Sequence, residues 1–403
     1  MKSRACVLVM VAGASVAMGQ SLDLSRAYEA ELRADAVARE SLLGESSCGY
    51  DDGKFTISDG GNNTLRLGGV IQTRWEANFR QGAGSPDNFT NGFSLRRARL
   101  DATGTIFDKR LSYDVRIESS RTNGNFSPLE VFGRYALSEE WYVRAGQFKV
   151  PLNREEVLST TMQLAIERSV VDAVFAESYS QGAEVGYQGQ DARAFLAVGD
   201  GLKTTTSDYT SAAEADYAVT GRAEFKWAGK GWKWANDFTS FRGSEYAAMA
   251  GLAGHWQAGG DTGGTANIDF FQGEADVQVE GDGWNFFAAG IWRSSRRPGL
   301  GTRDDFGAIV QGGVFVSDQA EIFARWDGVF PDDANGDAFN TLTAGVNYYV
   351  SPHSQAVKLT WEFGYFFNST TANTLVKEST QAGLLTSTEP GEWMLQGQVQ
   401  VMF

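Results

Sequence analysis

Cysteine, histidine and proline are nearly missing from this chain of 403 residues. The two cysteines, Cys6 and Cys48, build no disulfide framework, and Cys48 stands alone if the first segment is removed. The two histidines, His255 and His353, lie far apart in the sequence, so metal clusters and histidine-centred triads lack support. Only 7 prolines interrupt the chain, as long central strands require, because proline cannot donate to a ladder. No phosphate-binding G-x-x-x-x-G-K-[ST] stretch occurs, and no cofactor is expected. Basic excess is lacking too: the net charge of −15 argues against nucleic acid as a partner. Finally, no run beyond the first twenty residues is apolar enough for a spanning helix. The aromatic content of 12% therefore needs another explanation.

The start reads as a leader. Lys2 and Arg4 precede an apolar stretch from Ala5 to Met18, and Ala17-Met18-Gly19 fits a small-x-small cleavage site before Gln20. Residues 1–19 are thus expected to be a signal peptide. Residues 20–59 are expected to form a periplasmic segment and linker with a short helix, because 21–46 are rich in Ala, Leu, Glu and Arg and hold no glycine before Gly44.

What is present is alternation. "TLRLGGVIQTRWEANF" places Leu65, Leu67, Ile71, Trp75 and Phe79 on one face, and Arg66, Gln72, Arg74, Glu76 and Asn78 on the other. At sixteen residues it is far longer than the usual globular strand and long enough to cross a bilayer tilted. The last residues, "EWMLQGQVQVMF", alternate to the final Phe403. Similar stretches recur throughout, seventeen in all. Short and long connections alternate properly only if "WKWANDFTSF" (232–241) belongs to a periplasmic connection. The pattern predicts an all-β fold over residues 60–403, a transmembrane antiparallel barrel of sixteen strands with both chain ends at the periplasmic side; eighteen is the upper bound. Closure satisfies every backbone group in the hydrocarbon region and gives the last strand its partner, the first.

The connection "PLNREEVLSTTMQLAIERSVVDAVFAES" (151–178) is too long for a hairpin, and Asn153 with Glu156 has capping-box spacing. In so wide a barrel this loop is expected to fold inward and narrow the pore; an outer flap is the alternative. Arg97, Arg99, Arg116, Arg134 and Arg144 share the inward parity of the neighbouring strands. They form either a wall that attracts anions or, with Asp101, Asp114, Glu118 and Glu130 on the same face, ion-pair ladders that brace the barrel. The loop adds Lys149, Arg154 and Arg168, together with Glu155, Glu156 and Glu167. A field across the constriction follows, of a sign that the sequence does not fix. The acidic stretch "DDANGD" (332–337) has Ala338 where a calcium loop needs Gly, and reads as turn chemistry.

"LRLGGVIQTRWE", "FSLRRARLDATGTIFDKRLSYDVRIE", "VRAGQFKVPLNREE" and "AIERS" resemble the opening strands and constriction loop of the phosphate-selective porin family, porins O and P, over about residues 60–403. The resemblance implies a sixteen-stranded outer-membrane channel of a Gram-negative-type bacterium, usually a homotrimer, with passive anion uptake. It also implies that Phe403 is the signal read by the barrel assembly machinery. The selectivity of that family depends on basic ladders, which Glu155, Glu156 and Glu167 dilute here. The expected function is a water-filled pore, set in outer-membrane lipid, for small hydrophilic solutes with an anion or phosphate bias. A non-selective or cation-biased porin is the alternative within the class. An outer-membrane barrel enzyme or a surface anchor is the alternative outside it; the first lacks a partner for His255, and the second lacks large outer domains.

Overall fold

The computed structural model describes residues 47–403 apart from 52, 81–87, 122, 177, 261–267, 298, 300 and 378–381. The expected leader and most of the expected N-terminal segment, its helix included, lie outside the described residues.

Two short strands, β1 (Ser47–Asp51) and β2 (Lys54–Ser58), come first and pair as a hairpin within the stretch read as linker. The barrel follows. Its opening strands are β3 (Thr64–Phe79), β4 (Phe89–Ile106), β5 (Asp108–Ser119), β6 (Phe126–Ala136) and β7 (Trp141–Lys149). Next come β8 (Tyr179–Gln188), β9 (Ala192–Gly199), β10 (Tyr217–Ala228), β11 (Ala247–Ala258), β12 (Asp269–Gly281) and β13 (Trp284–Arg297). The ring ends with β14 (Gly301–Phe315), β15 (Ala320–Phe330), β16 (Phe339–Tyr349), β17 (Val357–Phe366) and β18 (Glu392–Met402). Each pairs antiparallel with the next, and β18 pairs back onto β3 from Trp393↔Phe79 to Met402↔Val70. Sixteen strands thus close on themselves, and residues 232–241 lie in the connection between β10 and β11, as the alternation of turns demands.

The seam shows why the chain stops where it does. Phe403 donates its amide to the Gly69 carbonyl (3.1 Å) and accepts from the Gly69 amide (2.7 Å). A side chain at Gly69 would meet the Phe403 ring, so glycine lets the terminal aromatic lie against β3. β3 extends beyond the end of β18, and β2 pairs with that remainder, Phe55↔Leu67 to Ser58↔Thr64. The hairpin therefore continues the wall at the end of the barrel that carries the short turns.

One parity of the strands faces lipid, including Ile71, Leu252, Trp256, Trp292, Phe306, Trp361 and Val399, all exposed. The opposite parity faces the lumen, but it is not uniformly polar. "WNFFAAGIW" in β13 is apolar on both faces, and Phe287, Ile309, Phe323, Phe339 and Phe366 form a buried apolar arc inside the barrel. Leu158, Leu164, Val171 and Phe175 of the 150–178 connection pack on that arc, with Val376 and Leu384 of the 367–391 connection. A large side chain so buried stabilises by roughly 1.5–3 kcal/mol, enough to draw the loop inward. Among the aromatics near strand ends, Tyr142 and Tyr349 turn inward, where their hydroxyls donate to Glu184 (2.8 Å) and Glu321 (2.6 Å).

Candidate functional site

The inward fold of the 150–178 connection defines the site. Its helices are short: α1 (Arg154–Val157) is a single turn, and α2 (Val170–Phe175) is capped by Ser169, whose hydroxyl accepts from the Asp172 amide (2.9 Å). Asn153 does not cap α1 despite its spacing from Glu156; its side-chain oxygen accepts from Gln272 (3.0 Å). Wall contact outcompetes the local motif here.

Glu167 is the centre of the constriction. Its carboxylate accepts from Arg74 (2.5 Å), from Arg96 (2.5 Å) and, as a two-pronged fork, from Arg97 (3.0 and 2.7 Å). Arg97 also donates to Gln72 (2.8 Å), and Arg74 to Glu76 (3.1 Å) and Gln398 (3.1 Å). Burial disfavours the charge on Glu167, but Arg97, Arg96 and Arg74 outweigh it and hold the carboxyl well below the ordinary 4.5. Three guanidinium groups against Glu167 and Glu76 leave a positive excess where loop meets wall.

Arg96 was not among the expected pore residues, because strict alternation sends it to lipid. A β-bulge corrects this: Gln72 pairs with Arg97 and Thr73 with Leu95, so Arg96 is the extra residue and joins Arg97 on the inside. The signal is in the sequence. Apolar residues fall at Phe93 and Leu95, then at Ala98, Leu100 and Ala102, a parity that slips by one across the double arginine. Arg74 has the right parity in β3 and was left unassigned.

The remaining expected arginines are mostly paired. Arg99 binds Glu118 and donates to Thr160 of the loop (2.8 Å). Arg116 pairs with Glu130, and Arg144 with Glu184 (2.7 Å) while lying over the Phe148 ring. The ladder reading holds for these three. Arg134 differs: it is exposed to the lumen over the Tyr142 ring (3.9 Å), with no carboxylate partner among the described residues.

The loop charges act as braces. The Arg154 amide donates to Glu274 (2.6 Å), and its guanidinium reaches Glu224 (3.4 Å), Gln278 (3.0 Å) and the Ala235 carbonyl. Burial brings Arg154 down to about 10, against the pull of Glu224. Lys149 donates to the carbonyls of Glu156 (2.7 Å) and Leu158 (3.1 Å). Arg168 pairs with Glu156 (2.8 Å), while Glu155 accepts from Ser169 through amide (2.8 Å) and hydroxyl (2.6 Å). The loop is thus a strut, tied to β3 and β4 by Glu167 and to β10 and β12 by Arg154, six to eight strands away round the ring. From the other end, the 229–246 connection reaches in, and the Phe238 amide donates to the Met162 carbonyl (3.2 Å).

Among the described residues no group of His, Cys, Asp and Glu suits a metal ion. Residues 70–232 match the family model described as phosphate-selective porin O and P. Solved structures share the fold. OmpT of Vibrio cholerae aligns at 12% identity over 85% of this chain and 98% of its own, TM-score 0.58. An anion-selective porin from Comamonas acidovorans aligns at 13% identity over 85% and 100%, TM-score 0.58. The outer membrane channel DcaP of Acinetobacter baumannii aligns at 12% identity over 84% and 97%, TM-score 0.56. No curated protein sequence matches. Family and fold together indicate a channel rather than an enzyme. The match over residues 70–232, set in a closed sixteen-stranded barrel, makes the chain similar in sequence to the phosphate-selective porins O and P and in fold to outer-membrane channels.

Proposed function

We propose that the protein is a passive channel for small hydrophilic solutes that prefers anions. The observation that carries this is the guanidinium excess of Arg74, Arg96 and Arg97 around Glu167, held in a low-dielectric wall where its field is poorly screened. Arg134 adds an accessible cation. Two structural neighbours, an anion-selective porin and an outer membrane channel, agree with this reading.

A homotrimer in outer-membrane lipid is the assembly we infer, since a trimer form of OmpT has the same barrel type (TM-score 0.53, 12% identity). Within this reading residues 1–19 are a leader, 20–59 a periplasmic segment, and Phe403 a contact for the barrel assembly machinery. The exposed Asp304, Asp333 and Asp337 on the long-connection side favour a second reading, a cation-biased general porin. The reversal potential of the purified protein in a planar bilayer under a KCl gradient separates the two. Anion selectivity supports the first; cation selectivity overturns it.

A further inference from the structure

Inward-facing side chains are sealed over most of the ring. From β10 to β18 nearly all of them, such as Thr220, Gln272, Thr343, Thr360 and Gln398, are buried. Inward residues of β4 to β7 are not: Thr103, Ser112, Asp114, Arg116 and Glu130 are half-buried, and Arg134 is exposed. On the loop, Val157, Ser159 and Arg168 keep partial exposure while their neighbours are covered. The open space is therefore a crescent between one edge of the loop and the β4–β7 wall.

That crescent continues at the short-turn end into a cavity of about 510 Å3. Arg99, Asp101, Arg116 and Ser159 line it from the barrel, and Tyr50 and Lys54 from the β1–β2 hairpin. Lys54 reaches across to pair with Asp101 on β4. An element that precedes the barrel thus supplies a charged side chain to the mouth of the open space.

We propose that solutes cross by this lateral conduit rather than along the barrel axis, and that Lys54 of the hairpin is a selectivity residue at its periplasmic mouth. The inference rests on the channel reading above. The ion-pair rungs of the conduit support an anion route: Arg144 is 18% exposed while its partner Glu184 is 0%, and Arg116 is 26% exposed against 13% for Glu130. On both rungs the cation is the group presented to the solute. Arg99 and Glu118 reverse the order, which keeps the rung facing Thr160 less attractive to anions. Lys54 pairs with Asp101, which otherwise presents a carboxylate at the exit.

Single-channel recording of the full chain tests this, with Cys6→Ser and Cys48→Ser as background. Modification of Ser112→Cys by an anionic methanethiosulfonate reagent is expected to lower conductance about two-fold, because it narrows the sector left open among the described residues. The same reagent on Thr343→Cys, on the sealed wall, is expected to change nothing. Lys54→Glu is expected to move the chloride-to-potassium permeability ratio about two-fold towards potassium. Lys54→Gln serves as a charge-neutral control for hairpin docking, with a smaller shift in the same direction. Block at Thr343→Cys without block at Ser112→Cys overturns the conduit. An unchanged ratio in Lys54→Glu overturns the role of Lys54. Both results leave the channel reading standing, whereas protein that inserts without conducting overturns both.

Discussion

Replacing Glu167 by glutamine leaves the loop its shape but removes the charge that three arginines share. Arg74, Arg96 and Arg97 are almost wholly buried, and breaking a buried pair from one side costs about 3–5 kcal/mol. Arg74 keeps Glu76 and Gln398, and Arg97 keeps Gln72, so the lower end, about 3 kcal/mol, is the expected cost. That energy multiplies the undocked population of the loop by about a hundredfold. Loop excursions on that scale register as excess current noise and brief conductance steps in single-channel records, and as a lower Tm in detergent. Acid is not expected to imitate the substitution until well below the ordinary glutamate range. A depressed carboxyl pKa contributes stability that is full above the unfolded value near 4.5 and is lost only as pH falls through the folded value. A Glu167→Gln channel with native noise, conductance and Tm refutes the claim that this carboxylate pins the loop.

Other outcomes follow from single contacts. Arg134→Ala is expected to reduce the chloride-to-potassium permeability ratio about two-fold while leaving Tm unchanged, since among the described residues its guanidinium meets the Tyr142 ring and no carboxylate. Arg154→Ala removes the other anchor of the loop and leaves Glu224 with Arg222 and Arg193; a Tm loss smaller than that of Glu167→Gln is expected. Deleting Phe403 removes two backbone hydrogen bonds to Gly69 and is expected to lower the yield of heat-modifiable, folded barrel on electrophoresis. Asp237, in the 229–246 connection, is raised by burial to about 6, so its ionisation costs stability as pH climbs from 3.8 to 6. Tm against pH is expected to lack that decline in Asp237→Asn.

The barrel was legible because lipid and lumen impose opposite demands on alternate residues, and the strand positions followed from that period. The inward loop was legible from its length alone. Its anchoring was not. Arg96 escaped because a bulge breaks the two-residue period on which inward and outward are assigned. The inward arginines were left open between an anion wall and bracing ladders, since parity places arginines and carboxylates on one face but does not say which oxygens they meet; Arg99, Arg116 and Arg144 are paired in the structure. The apolar arc of β13 to β17 was hidden for a related reason. "WNFFAAGIW" is greasy on both faces, and only a partner such as α2 inside the barrel explains the second. The share of the lumen that stays open depends on how far three connections fold in, a long-range packing outcome that no local window contains.

A loop tied by charge to walls half a ring apart has a mechanical meaning as well. An empty cylinder of strands flattens under uneven lateral pressure, because hydrogen bonds between strands hinge more readily than they stretch. A spoke fixed at Glu167 and Arg154 sets the distance between two arcs of the rim and resists that flattening. The cross-section of the conduit then depends on a tie rod inside the protein rather than on the bilayer around it, so its bore is insulated from changes in membrane tension.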